Sequence, residues 1–330
     1  MYICKPPILN LLVIPLILVL VSCGGGGGGG SSSASSISYT GSTSQAVITQ
    51  TNGEEIAYSA YQNGGTGNTL GGVLAVVQDQ DKPLSRPRML VLSQALENSI
   101  DHISLDHDRD NLSTGATVSD SETLPGGCGG NANYTISIND VTYAFTGTFT
   151  FNAYCDEGAT LSGSLTLSGQ FNPNTLVFGQ ITMTYDNLTV SSGSDSFTAD
   201  GDMTLDPTSS PASITLDMVM LDNSTDKTYR ADDFVMTLTD NITSVSMTIS
   251  GRLYDPDYGY VDITTPTPLV INSGDDYPSS GVLLTTGSNG TYGPAKAKLT
   301  ALSNTSYQIE IDEDGDGTYE YLDTGNWTDL

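Results

Sequence analysis

Near its C-terminal end the chain sets acids at alternate positions: Asp312, Asp314 and Asp316, with Gly315 and Gly317 among them and Glu320 and Asp323 beyond. This follows the template of a calcium loop, D-x-D-x-D-G with a further acid at the twelfth position. Calcium takes roughly six to eight hard oxygens, so closely spaced carboxylates around a turn-forming glycine suit it. A second grouping joins Asp101-His102 to Asp106-His107-Asp108 and Asp110, and holds both histidines of the protein. Imidazole beside carboxylate can serve a transition metal. The two histidines are five apart, however, and do not share a helix face, so the segment reads equally as a solvated exit from a helix. Asp255-Pro-Asp257-Tyr258-Gly259-Tyr260 is either an aromatic binding loop or a hairpin turn.

The terminal segment resembles the loops of EF-hand-like calcium sites. That resemblance implies side-chain ligation by Asp312, Asp314, Asp316 and Asp323, a carbonyl from Thr318, and Glu320 acting through a water. The segment departs from the pattern in two ways. Its twelfth residue is Asp, shorter than the usual Glu, and residues 306–311 and 319–322 alternate like strands instead of helices. Two readings stay open, a calcium loop and a β-hairpin whose Asp-Gly-Asp-Gly tip is a turn and nothing more.

Other chemistry finds little footing. The chain has no Gly-x-Ser-x-Gly, no His-Glu-x-x-His and no Walker loop. A nucleophilic triad would have to use one of two histidines lying in one segment. With 38 acids, carboxylate pairs are too numerous to point to glycoside hydrolysis, which depends on their separation in space. A formal charge of −28, from ten bases against those acids, speaks against nucleic acid and anionic membrane surfaces as partners. It suits a protein that collects cations.

The elements that must position these residues are strands. From about Asn133 apolar residues recur at every second position, as in Tyr143, Phe145, Phe149 and Phe151, then Leu161, Leu165 and Leu167. The pattern continues through Ile181 to Tyr185, Phe197 to Leu205, Ile214 to Met220, Phe234 to Leu238 and Val245 to Ile249. Turn residues such as Asn172-Pro173-Asn174 and Asp206-Pro207 separate the runs. This predicts a mainly β fold, a large antiparallel meander with one buried face, built as a curved sheet, a barrel or a sandwich.

A small helical part precedes the meander. Thr51-Asn-Gly-Glu54 reads as a capping box ahead of Ile56, Ala57, Ala60 and Tyr61. Met89, Leu92, Leu96, Ile100 and Ile103 predict a second helix over about 88–102, packed on the sheet. The spacing divides the chain into a mixed segment, 37–121, a β meander, 122–265, and C-terminal hairpins carrying the acidic loop, 266–330, with a joint at Pro266 and Pro268.

The first residues read as an address. Lys5 precedes an apolar stretch, Ile8 to Val21, of about 14 residues, short of the roughly 20 that cross a membrane and suited to a signal peptide over 1–22. It ends Leu20-Val21-Ser22-Cys23. These residues resemble the lipobox of bacterial lipoproteins, which implies cleavage before Cys23 and lipidation of that cysteine, with palmitate among its acyl chains. An ordinary signal peptide with a chance cysteine is the plainer alternative. Each buried methylene of such an anchor contributes about 0.8 kcal/mol. Gly24, where an inner-membrane lipoprotein would carry Asp, implies the outer membrane. The Gly/Ser run to Ser36 has the composition of a flexible tether, 23–36. Cys128 and Cys155 then remain in an oxidising compartment and are expected to form a disulfide, two thiolates without a nearby histidine being too few for zinc.

Taken whole, the lipobox, the tether, Gly126-Gly-Cys128-Gly-Gly130 with Tyr154-Cys155, and the acidic loop resemble the acidic, β-rich lipoproteins of Gram-negative bacteria. The resemblance implies residence in the envelope, surface-exposed or periplasmic, and the first reading is a non-enzymatic binding or structural module held to the membrane by lipid and facing an extracellular or envelope ligand. Calcium would be its stabilising ion. One alternative is a carrier of lipid or another hydrophobic ligand, with the 88–102 helix plugging a cavity. Another is a carbohydrate-active enzyme, for which no residue speaks.

Overall fold

A period of two places successive side chains on opposite faces of an extended chain, and in the computed structural model of this protein it makes strands throughout. The structure describes residues 36–63 and 117–329, apart from short breaks at 140, 157–158, 173–176, 194, 207, 242 and 276. One helix, α1 (Gly53–Asn63), precedes fourteen strands. These are β1 (Thr117–Pro125), β2 (Gly129–Asn139), β3 (Ala144–Asp156), β4 (Ala159–Asn172), β5 (Val177–Ser192), β6 (Asp195–Asp206) and β7 (Ala212–Asp222). They continue as β8 (Lys227–Asn241), β9 (Ser244–Asp255), β10 (Gly259–Asn272), β11 (Ser280–Asn289), β12 (Pro294–Ser303), β13 (Ser306–Asp312) and β14 (Tyr321–Asn326). Each pairs antiparallel with the next, in one sheet ordered β1 to β14 that does not close. Among the three meanders the sequence allowed, the single open sheet is the one formed.

The helix expected over 88–102 and the His/Asp grouping of 101–110 lie outside the described residues. The sheet already begins within the segment read as mixed, at Thr117. Pro266 and Pro268 lie inside β10, not between two bodies of structure. Pairing with β9 skips there from Val261 to Leu269, and pairing with β11 is irregular between Thr264 and Val270. Proline has no N–H for a ladder, so the pairing lapses locally while the strand runs on.

Apolar side chains fill one face. On β7, Ile214, Leu216, Met218 and Met220 are buried in strict alternation, and on β12 Ala295, Ala297, Leu299 and Ala301 follow the same rule. Three strands break phase. On β3 the buried set runs Phe149, Phe151, Tyr154; on β5, Tyr185, Leu188; and on β8, Ala231, Phe234. Each break coincides with a register shift and with a left-handed residue, at Ala153 (φ 48°), Asn187 (φ 49°) and Asp233 (φ 48°). These are β-bulges, which add one outward residue, bend the strand and strengthen its twist. An open sheet of more than about ten strands has to curl, split or flatten, and the bulges supply the bend. Gly201, opposite the β5 bulge at φ 127°, takes a backbone conformation that other residues rarely adopt. A Cβ there would overlap the Asp217 carbonyl oxygen on β7.

Helix α1 packs on β9 and β11 to β13 through the predicted stripe, Ile56, Ala57, Ala60 and Tyr61, all buried. Its start departs from a capping box. Asn52 turns its side chain backwards, accepting from the Thr49 N–H at 2.7 Å and donating to the Val47 carbonyl at 3.0 Å. Glu54 and Glu55 then occupy the first turn, the favourable end of the helix dipole for acids. Beyond β14, the protein's one tryptophan, Trp327, closes the core beside this helix. Its ring lies 5.1 Å from Tyr61, 5.0 Å from Tyr307 and 5.8 Å from Tyr277. Its indole N–H donates to the Ser303 carbonyl at 2.9 Å.

Cys128 and Cys155 stand at disulfide distance, with Cα atoms 5.0 Å apart, joining the β1–β2 turn to the end of β3. Replacing both by serine should lower unfolding free energy by about 3.5 kcal/mol, the chain entropy of a loop this long, measured by urea titration; an unchanged midpoint would show that the pair carries no stability. Gly201→Ala should cost on the order of 3 kcal/mol through strain and overlap, read from the Trp327 emission of heated samples. A loss below about 0.5 kcal/mol, within the range of ordinary surface changes, would contradict the assigned role.

Candidate metal centre

The acidic loop is positioned by strand β13. Alternation turns Tyr307, Ile309 and Ile311 into the core, and Asp312, the next residue, is wholly buried at 0% exposure. A buried carboxylate needs donors or a cation, and this one receives both. Its Oδ1 accepts the Gly315 N–H at 2.8 Å and its Oδ2 the Gly317 N–H at 3.1 Å. The Lys296 ammonium on β12 lies 4.0 Å from Oδ2. Asp314 accepts the Asp316 N–H at 3.1 Å, and Asp316 accepts the Thr318 N–H at 2.6 Å. Glu320 reaches back to accept the Glu313 N–H at 3.1 Å.

Each of these bonds fixes one carboxylate of the loop, Asp312 buried, Asp314 half-buried, Asp316 and Glu320 exposed. Asp312, Asp314, Asp316 and Glu320 each present an oxygen within 4.8 Å of the other three. Oxygens on opposite sides of one calcium stand about 4.6–5.2 Å apart, twice the usual bond length. Four hard oxygens at this spacing can share one cation of that size, with backbone carbonyls and water left to complete its coordination.

Of the residues named from sequence, Asp312, Asp314 and Asp316 come together as the loop pattern implies. Glu320 brings its own carboxylate within the same 4.8 Å. Thr318 is exposed and uses its N–H on Asp316. Asp323 stands apart from the group. Once the chain enters β14, Tyr321 pairs with Ile311, so Asp323 is carried up the strand to a position opposite Ile309. There it is exposed and accepts the Thr324 N–H at 2.7 Å. The strand flanks therefore move the last acid of the sequence pattern away and leave Glu320 at the turn.

Two contacts hold the loop from outside, neither legible in the sequence pattern. The Tyr292 N–H, at the β11–β12 tip, donates to the Asp314 carbonyl at 2.8 Å. The Gln50 N–H, ahead of α1, donates to the Glu313 carboxylate at 3.1 Å. Between these pieces lies an open groove of about 290 Å³, lined by Val47, Ser288, Asn289, Thr291, Glu313 and Asp314.

The Asp255–Tyr260 segment is the β9–β10 hairpin turn. The Asp255 carboxylate accepts the Asp257 and Tyr258 N–H groups, at 2.9 and 3.3 Å, while burial pushes its pKa up. Lys227 pairs with Asp257. The Tyr258 hydroxyl donates to Glu55 of α1 at 2.5 Å, which together with burial raises the phenol to about 12. Tyr254 and Tyr260 pack on each other, with the Arg252 guanidinium 4.0 Å above the Tyr260 ring. These aromatics are occupied within the fold.

Against known proteins, the chain matches no family model, no curated sequence and no solved structure.

The geometry reverses the order in which the sequence template ranks two acids, placing Glu320 among the carboxylates and Asp323 apart from them. Glu320→Gln should weaken calcium binding at least tenfold by calorimetry, while Asp323→Asn should leave the dissociation constant within about twofold. The reverse order would mean that the loop rearranges to the EF-hand ligand set on binding.

Proposed function

We propose that the protein is a lipid-anchored, non-enzymatic module of the bacterial envelope, whose C-terminal loop takes up one calcium ion as a structural brace. The observation that carries the calcium reading is the set of four carboxylates with an oxygen each within 4.8 Å of the others, Asp312 wholly buried and Asp316 and Glu320 exposed. Asp312, Asp314, Asp316 and Glu320 would hold the ion. Its charge would offset the mutual repulsion of four acids that have one lysine, Lys296, on their edge. Because the loop also binds Gln50 and Tyr292, an ion there would tie together the segment before α1, the β11–β12 tip and β13.

A display module is also supported by how the buried face is filled. On it Phe149, Phe151, Tyr154, Tyr185 and Phe234 are each at most 2% exposed. The anchor rests on the lipobox residues Leu20 to Cys23 and on the Gly/Ser run that follows them. Among the described residues no helix is long and apolar enough to cross a membrane.

Calcium titrated into the chain from residue 24 onward should bind at one saturable site. At a hundredfold excess over Kd it should add about 2.7 kcal/mol of stability. Asp314→Ala with Asp316→Ala should abolish both effects, and heat-silent titration with no thermal shift would remove calcium from the reading. Cells given labelled palmitate should label the full chain and not its Cys23→Ser variant; equal labelling or none would remove the anchor.

A further inference from the structure

Pairing between β10 and β11 ends at Asp262 and Thr286, before the strands themselves end. Beyond that point residues 44–46 lie between them as a strap. The Ala46 N–H donates to the Tyr260 carbonyl at 2.8 Å, and the Tyr260 N–H donates to the Ser44 carbonyl at 3.0 Å, in a parallel bridge. On the other flank the Ser288 N–H donates to the Ala46 carbonyl at 2.8 Å. The Gln45 amide reaches the Thr286 carbonyl at 3.4 Å. Both walls are cut for this backbone: a Cβ on Gly259 would overlap the Ser44 carbonyl oxygen, and one on Gly287 would come within 2.5 Å of that of Ala46. Ala46 and Ile48 are wholly buried, and α1 follows directly.

Strap and helix thus form one docking unit, residues 36–63, held to β8–β13 and to Trp327 by packing and hydrogen bonds alone. The chain that leaves it next appears at β1, the far edge of the sheet. From β1 to β10 is nine strand spacings, on the order of 45 Å, whereas the contour of residues 64–116 is on the order of 180 Å. Chain length therefore does not oblige the unit to occupy the slot of its own molecule.

We propose that residues 36–63 exchange between copies of this chain, the slot between β10 and β11 accepting the strap and α1 of a second copy. The contacts made are the same in either arrangement, so the exchange turns on protein concentration, as in domain swapping. It is independent of the calcium reading.

The test uses two differently tagged full chains, refolded together at high and at low concentration. One carries Val47→p-benzoylphenylalanine, a site 64% exposed at the mouth of the slot. Irradiation should join it to residues 281–294 of the other tag at high concentration, in a dimer. Cross-links confined to one tag at every concentration overturn the proposal. A complementary pair guards against an effect of the photoreactive group. Ala46→Pro lacks the strap donor to Tyr260, and Gly287→Val fills the slot, so neither alone makes an exchanged dimer. Refolded together, the Gly287→Val chain should lend its strap to the Ala46→Pro chain and give a heterodimer; its absence, with both variants soluble, likewise overturns the exchange.

Discussion

The structure depends on one constraint: an antiparallel sheet of fourteen strands has a single apolar face and must bend to bury it. Hydrogen-bonded ladders alone would let so wide a sheet twist steadily, with its middle left uncovered. The outward residues inserted at Asn152-Ala153, Asp186-Asn187 and Asp232-Asp233 concentrate the bending along particular lines. Everything near the far edge follows from where those lines carry β9 to β14, because that edge wraps the one described helix. Tyr61 meets Trp327 only because the sheet brings its last strands round to α1.

Strand existence was legible from period-two alternation, and nearly every run between Tyr143 and Ile311 falls in a strand. Strand continuity was not. The apolar run 245–249 reads as a whole strand, whereas β9 continues through Gly251, which faces the β8 bulge, to Asp255. The bulges themselves leave a trace, an apolar phase that slips by one around Asn or Asp, but a slip also looks like the end of a strand. β1 escaped notice because its sequence, TVSDSETLP, is almost entirely polar. As an edge strand it has one neighbour to satisfy and little to bury.

The acidic loop shows the same division between composition and placement. Residue types at 312, 314 and 316 announced a cation site, and backbone geometry brings those three together. Counting pointed to Asp323 as the fourth acid, whereas the structure places Glu320 beside the other three, since a loop between helices and a loop between strands return the chain in different directions. Lys296 could not be anticipated, because it arrives on β12 through the register that pairs it with Asp312. Among the described residues Asp222, Asp255 and Asp312 are all buried acids at strand ends, and Asp312 is the one wholly out of solvent with three further carboxylates beside it. The cost of that burial is what a cation would offset.

The strap also decides how the domain meets mechanical load. Tension applied through the chain ahead of residue 36 meets Tyr39 and Thr40, hydrogen-bonded to Asp255 and Thr228, and then the strap at Ser44 and Ala46. The backbone bonds to Tyr260 and Ser288 lie across the strap, so a pull along its length shears all of them together, where a pull on an edge strand opens bonds one at a time. The force then divides between β10 and β11, well inside the sheet. The domain is gripped near its interior, and its exposed edges, β1 and β14, are spared the first strain.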